Sequence, residues 1–241
     1  MPENNVNDFA IFRLLRPPAS GVGMPQAVRL GHNTRPPGDP PRWLECPLMD
    51  TTEAAPYPKE LERDVSLKDG IRVRFRPIRP DDAPRLQALY DRLSRYTAYQ
   101  RFFTVMKRLP PDWAQFLATV DYRRRLALIV EFETVSGFDL IAVGRYEPTN
   151  EPDTAEVAFV VQDGWQGKGL GTLLFQEVLR AATARGVRRF RAWVLAENRR
   201  MLDLIARFGT VKERKTEQGV TELLFEPSGG PTTHPPGVSE S

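Results

Sequence analysis

The feature that most limits what this chain can fold into is an apolar strand that breaks into glycines and restarts as a helix. It reads Val160-Val161-Gln162-Asp163-Gly164-Trp165-Gln166-Gly167-Lys168-Gly169-Leu170-Gly171-Thr172. Glycines let the backbone turn sharply and approach a ligand closely, and the first N–H groups of the following helix have no internal partner. Those donors and the helix dipole form an anion cradle suited to phosphate.

Spacing decides which phosphate ligand fits. A nucleotide-triphosphate loop needs Gly, four residues, then Gly-Lys-Ser/Thr, but Gln162 stands five positions before Gly167 and Gly169 follows Lys168. A dinucleotide fingerprint needs a third glycine where Thr172 stands, and an acid roughly twenty residues on, where the chain reads Arg188-Arg189-Phe190-Arg191. Arginine there suits a phosphorylated ribose, so a dinucleotide reading is weakened and stays open.

Periodicity supplies the rest of the fold. Ile71 to Phe75 alternates apolar and charged residues as a half-exposed strand. Asp81 or Asp82 caps a helix carrying Leu86, Leu89, Tyr90 and Leu93, and a second helix is expected from Ser94 to Met106, packed down by Phe102 and Phe103. Pro110-Pro111-Asp112 opens a third through Trp113, Phe116 and Leu117. Residues 126–130 and 140–144 read as central strands joined as a hairpin, with 154–161 as the next strand. From Gly169 to Arg185 one apolar stripe runs through Leu170, Leu173, Leu174, Val178, Leu179 and Ala182, with Gly186 as its stop. Because a single helix bridges them, strand 191–195 runs parallel to 154–161. Strands 210–217 and 220–226 flank Gly219. The expected fold is α/β, a mixed sheet with helices on both faces.

Gln166-Gly167-Lys168-Gly169-Leu170-Gly171 fits the pattern Gln/Arg-x-x-Gly-x-Gly/Ala. With the strand carrying Glu156 upstream and Glu197-Asn198-Arg199-Arg200-Met201-Leu202 after strand 191–195, the chain resembles the GNAT superfamily of acyl-CoA-dependent N-acyltransferases over about residues 71 to 226. Arg76-Pro77-Ile78-Arg79-Pro80-Asp81-Asp82 and Arg101-Phe102-Phe103 further resemble bacterial protein lysine acetyltransferases of the Pat type. The resemblance implies a mostly antiparallel sheet with a splayed parallel strand pair. It also implies acetyl-CoA as co-substrate, its pantetheine arm along Phe159, Val160 and Val161, and its pyrophosphate on Gln166, Gly167, Lys168, Gly169, Leu170, Gly171 and Thr172. The N–H of Phe159 or of Val160 would bind the thioester oxygen, and the sequence does not choose between them.

Glu156 is the candidate general base. Its strand is otherwise apolar after the first residues, so its carboxylate should be partly desolvated. The bland alternative is a solvated strand-end glutamate; its place ten residues before Gln166 resembles the family's base position and favours the base. Asn198 resembles an asparagine that reaches the coenzyme A arm, and equally reads as the N-cap of helix 199–208. Lys168 reads either as a pyrophosphate contact or as a solvated first-turn residue. Arg199 and Arg200 either meet the 3′-phosphate or stand exposed. Trp165 and Trp193 read as packing residues. The tyrosine acid of many GNAT enzymes would fall at Ile205, which departs from the pattern, leaving Tyr146 at a strand end as a weak candidate, more often explained as core packing.

Composition marks the ends. Half of the 22 prolines fall in the first 60 of 241 residues, so residues 1–64 are expected to be disordered, 65–227 to form the acetyltransferase domain and 228–241 a disordered tail. Met49 is a candidate start of natural translation. A net charge of +3 on scattered arginines does not call for nucleic acid. No apolar run approaches the roughly 18 residues a membrane span needs, and no signal layout opens the chain, so a cytoplasmic protein without a membrane partner is expected. One cysteine, Cys46, and two isolated histidines, His32 and His234, argue against a metal site or an internal disulfide. The expected activity is acetyl transfer from acetyl-CoA to a lysine of a protein, such as an acyl-CoA synthetase, by direct attack in a ternary complex. Two alternatives stand beside it: a GNAT acting on a small amine or a protein N-terminus, and a non-catalytic acyl-CoA sensor.

Overall fold

The computed structural model describes residues 54–104 and 106–228. Residues 1–53 and 229–241, with Met49, Cys46, His32 and His234, lie outside the described residues. Eight strands form one sheet: β1 (Arg63–Ser66), β2 (Arg72–Pro77), β3 (Leu126–Thr134), β4 (Gly137–Pro148), β5 (Thr154–Val161), β6 (Arg189–Leu195), β7 (Gly209–Glu217) and β8 (Val220–Pro227). Their spatial order is β1-β2-β3-β4-β5-β6-β8-β7. Every neighbouring pair is antiparallel except β5 with β6. The helices are α1 (Ala83–Asp91), α2 (Arg95–Phe102), α3 (Pro111–Ala118), α4 (Leu170–Thr183) and α5 (Arg199–Phe208). The mixed, mostly antiparallel sheet that the sequence led us to expect is the observed one. No helix among the described residues is long and apolar enough to cross a membrane.

Strand alternation divides the core into two layers. Ala155 and Val157 of β5 bury with Leu174, Phe175 and Ile205 of α4 and α5, whereas Val160 buries on the opposite face with Leu86, Leu89, Ala98 and Ala114 of α1 to α3. Phe175 is fully buried, its ring 5.1 Å from that of Phe159 and 6.1 Å from that of Phe225. Burying a side chain of this size contributes about 1.5–3 kcal/mol. Gly144 makes the close seating of α4 possible: a Cβ there would stand 2.7 Å from Phe159 Cδ1 and 2.9 Å from Leu174 Cγ.

The Arg76-to-Asp82 motif is a staple between elements. Arg76 donates to both carboxylate oxygens of Asp82 and to Glu131 Oε1, each at 2.7 Å, and Asp82 Oδ2 accepts the N–H of Arg79 at 2.8 Å. Arg85 bonds the same two acids. Burial alone would raise Asp82 and Glu131, but the arginine bonds outweigh it and hold both below the usual carboxylate range. This network ties β2 and β3 to the entry of α1, away from the cleft described below.

Two local features differ from the sequence reading. β1 was not expected: Arg63-Asp64-Val65-Ser66 is an edge strand with little burial and no apolar alternation. The helix expected to reach Met106 ends at Phe102, because Phe103 turns into the left-handed region (φ 53°) and buries its ring while its N–H still bonds Tyr99 O.

Candidate active site

The β5–β6 pairing holds only through Thr154↔Arg189, Ala155↔Phe190 and Glu156↔Arg191, after which the strands part. On its other side β5 stays paired with β4 from Ala155 to Val161. Gln162 N–H donates to Ile141 O at 2.9 Å, making 141 and 162 a hydrogen-bonded pair. Such pairs alternate along an antiparallel ladder. The N–H groups of Glu156, Ala158 and Val160 are therefore committed to β4, while those of Val157, Phe159 and Val161 face the gap beside β6. Of the two backbone donors left open by the sequence, Phe159 N–H is the one aimed at the gap.

A cleft of about 890 Å³ occupies this fork, lined among others by Glu156, Phe159, Gly167, Thr172, Trp193 and Asn198. Gly167 and Gly169 carry φ of 78° and 84°, and nothing lies within 4 Å of the Cβ that either lacks. The bare backbone they leave, followed by the first N–H groups of α4, is a fit for a pyrophosphate. Gly171 is different: it lies inside α4 without a positive φ, and a Cβ there would make an ordinary 3.7 Å contact with Val161. Leu170, expected to meet the pyrophosphate, is fully buried in the core and is not among the residues that line the cleft.

Several side chains of the loop brace it. Gln166 Nε2 donates to Val161 O at 3.0 Å and to Thr97 Oγ1 at 3.3 Å. Asp163 accepts from Ser94 N–H (2.9 Å), Ser94 Oγ (2.6 Å) and Thr97 Oγ1 (2.7 Å), fastening the loop to the start of α2. Burial works to raise Asp163, but these hydrogen bonds prevail and keep it low. Lys168 Nζ lies 2.6 Å from Asp69 Oδ2 in the turn between β1 and β2, so it is ion-paired rather than simply solvated. Neither Ser94 nor Asp163 stood out in the sequence as a loop anchor. The Ser-x-x-Thr spacing before α2 was the available signal, but it does not reveal that α2 lies across β5.

Asn198 caps α5, its Oδ1 accepting Met201 N–H at 3.2 Å, and also lines the cleft, as do Arg199 and Arg200. Ile205 is fully buried in the core. Tyr146 is corrected as an acid candidate: it is 1% exposed, its hydroxyl donates to Arg123 O, and burial above all pushes it up to about 12. Trp165 packs on Phe132, ring centroids 4.7 Å apart.

Glu156 stands at the last paired position of the fork and is 8% exposed. It faces the α1–α3 side together with Glu147, its direct cross-strand partner on β4. Glu147 is bonded by Arg125 (2.6 Å) and Arg145 (2.5 Å); burial would raise it, and the two arginines hold it low. Chemically, the fork offers a buried carboxylate, an N–H aimed into the gap and an anion cradle at the cleft's far end. That set can hold an acyl thioester of a phosphorylated carrier against an amine.

The comparisons with known proteins agree with this geometry. The acetyltransferase (GNAT) family profile matches residues 86–210. Acetyltransferase PA5475 of Pseudomonas aeruginosa is 30% identical over 149 residues, 62% of this chain and 80% of that protein. Acetyltransferase Pat of Mycolicibacterium smegmatis is 34% identical over 154 residues, 63% of this chain, and the match spans 45% of that protein. Among solved structures, the GNAT domain of S. lividans PAT superposes with a TM-score of 0.63 at 37% identity, covering 70% of this chain and 99% of that domain. A splayed parallel pair, a glycine cradle and these likenesses converge: the chain belongs to the acetyltransferase (GNAT) family and is an N-acetyltransferase.

Proposed function

We propose that the protein transfers the acetyl group of acetyl-CoA to a lysine side chain of a protein, by direct attack in a ternary complex, with Glu156 as general base. The observation that carries this reading is the place of Glu156: buried, on the strand beside the fork, at the point where β5 and β6 separate. Family membership supplies acetyl-CoA, whose pyrophosphate would rest on the 166–172 loop and whose arm would run along β5 as an added strand. Asn198, Arg199 and Arg200 line the same cleft from the second segment.

In this reading Glu156 removes a proton from the arriving ammonium, and the neutral nitrogen attacks the thioester carbon. Phe159 N–H donates to the oxyanion that forms. The C–S bond then breaks, and the thiolate departs with little help because thiols are acidic, so the buried Ile205 leaves no gap in the chemistry. The catalytic domain is residues 65–227. A protein acceptor, such as an acyl-CoA synthetase, is favoured by the likeness to the GNAT domain of S. lividans PAT and to Pat of M. smegmatis.

The test is incubation with acetyl-CoA and a panel of acceptors, followed by thiol release and mass spectrometry. Acetyl on an internal lysine of a protein acceptor is the expected result. Acetyl only on a small amine or an N-terminus would replace the acceptor class, and binding of acetyl-CoA without transfer to any amine would contradict catalysis.

A further inference from the structure

Two lysines meet at the glycine loop from different parts of the chain. Lys168, inside the loop, places its ammonium 2.6 Å from Asp69 Oδ2. Asp69 sits in the turn between β1 and β2, and its neighbour Lys68 lines the cleft together with Gly167 and Gly169. The loop comes within reach of that turn because it runs back over the sheet, where Trp165 packs on Phe132 of β3. Lys68 precedes residues 86–210, the part of the chain that the family profile matches. Nothing in the glycine motif announces it.

The turn is held by more than the Lys168 pair. Leu67 is 4% exposed and packs in the main core; its N–H donates to Ile71 O at 2.8 Å, and Gly70 N–H donates to Leu67 O at 2.9 Å. Ile71 N–H also donates to Asp69 Oδ1 at 3.3 Å. Further back on β1, Arg63 pairs with Glu177 of α4 at 2.7 Å, fastening the hairpin to the helix that follows the loop. Lys68 thus stands on a fixed backbone, so seating it on a phosphate costs only the freedom of its own side chain. Its charge is uncommitted: among the described residues Lys68 has no ion-pair partner. Lys168 neutralises Asp69, so the acid beside Lys68 does not oppose an anion, and the start of α4 adds a positive dipole end. Arg199 and Arg200 also line the cleft, but from the start of α5, after β6. A doubly anionic pyrophosphate on the loop would find the loop's own lysine engaged and Lys68 in the wall beside it.

We propose that Lys68 binds the pyrophosphate of acetyl-CoA, so that the β1–β2 turn forms a second wall of the cofactor's phosphate site. The inference rests on the reading of the 166–172 loop as the pyrophosphate cradle, and its test reads binding rather than turnover. Coenzyme A, and dephospho-coenzyme A, which lacks the 3′-phosphate but keeps the pyrophosphate, are titrated into the full chain by calorimetry. In Lys68→Gln the Kd for both is expected to rise roughly three- to tenfold, the worth of one charge-assisted contact at a partly exposed site. The gap from wild type should narrow as salt is raised, and Lys68→Arg should restore most of the affinity. Lys212→Gln removes the same charge on β7, at the opposite edge of the sheet, and should leave both Kd values unchanged. Lys68→Gln binding no worse than Lys212→Gln would overturn the proposal. A loss seen with coenzyme A and absent with dephospho-coenzyme A would overturn it too, by moving the contact to the 3′-phosphate. Failure of the cradle reading is seen separately, as unaltered coenzyme A binding by folded Gly169→Val.

Discussion

Replacing Glu147 by Gln tests the buried charge network beneath the site. Glu147 accepts from Arg145 Nε at 2.9 Å and Nη2 at 2.5 Å, and from Arg125 Nε at 2.6 Å. Arg145 is 2% exposed, and its one other described hydrogen bond is to Leu117 O at 3.2 Å. Removing the acid strands a buried guanidinium without a countercharge, a loss of roughly 3–5 kcal/mol. For a domain of this size each kcal/mol lowers Tm by roughly 2–4 °C, so a fall of about 6–20 °C is expected. The pH dependence follows from the sign of the shift. Glu147 is lower in the folded protein than in the unfolded chain, so its stabilisation is present above the ordinary glutamate pKa of about 4.3 and is lost as pH falls through its folded value. Thermal unfolding from pH 7 to pH 3 should therefore show the wild-type advantage over Glu147→Gln shrinking below about pH 4.3. A Tm change under 2 °C at pH 7 would refute the reasoning, since it would mean that Arg145 finds an equal partner elsewhere.

Gly169→Val forces a β-branched residue to φ 84°, although nothing blocks its Cβ, so the loop itself must move. Thermal protection by acetyl-CoA should disappear in Gly169→Val and persist in Gly171→Ala, where the helix accepts a methyl group; retained protection in folded Gly169→Val would defeat the loop assignment. Asp69→Asn releases Lys168 from an exposed ion pair, so Tm should shift little. The KM for acetyl-CoA should fall as Lys168 turns to the pyrophosphate, and an unchanged or raised KM would show that Lys168 does not reach it.

Much of this architecture could be read from the residues because local rules and long-range packing agree. The β5 bounds, the helix over 199–208 with Asn198 as its cap, and the parallel crossover each follow from a period or a spacing. What escaped reading depends on contacts made at a distance. Gln166, expected to serve the cofactor, braces Val161 O and Thr97 because α2 lies across β5, and no spacing in the loop reports that. The partner of Lys168 was hidden because β1, which brings Asp69 near, lacks the alternation that marks a strand. The early end of α2 depends on a phenylalanine in a conformation that sequence rules reserve mainly for glycine and asparagine. Tyr146, a weak acid candidate at a strand end that also read as core packing, lies in the core at 1% exposure.

The most direct measurement is the rate of acetyl transfer by Glu156→Gln across neutral to alkaline pH, alongside its direct binding of acetyl-CoA. The variant keeps size and hydrogen bonding but cannot take the proton, so turnover should fall roughly 10²–10⁴-fold. Acetyl-CoA affinity should hardly change, and the rate should recover in part at high pH, where more of the acceptor amine is already neutral. Near-wild-type turnover with an intact fold would show that another group removes the proton and would contradict the account.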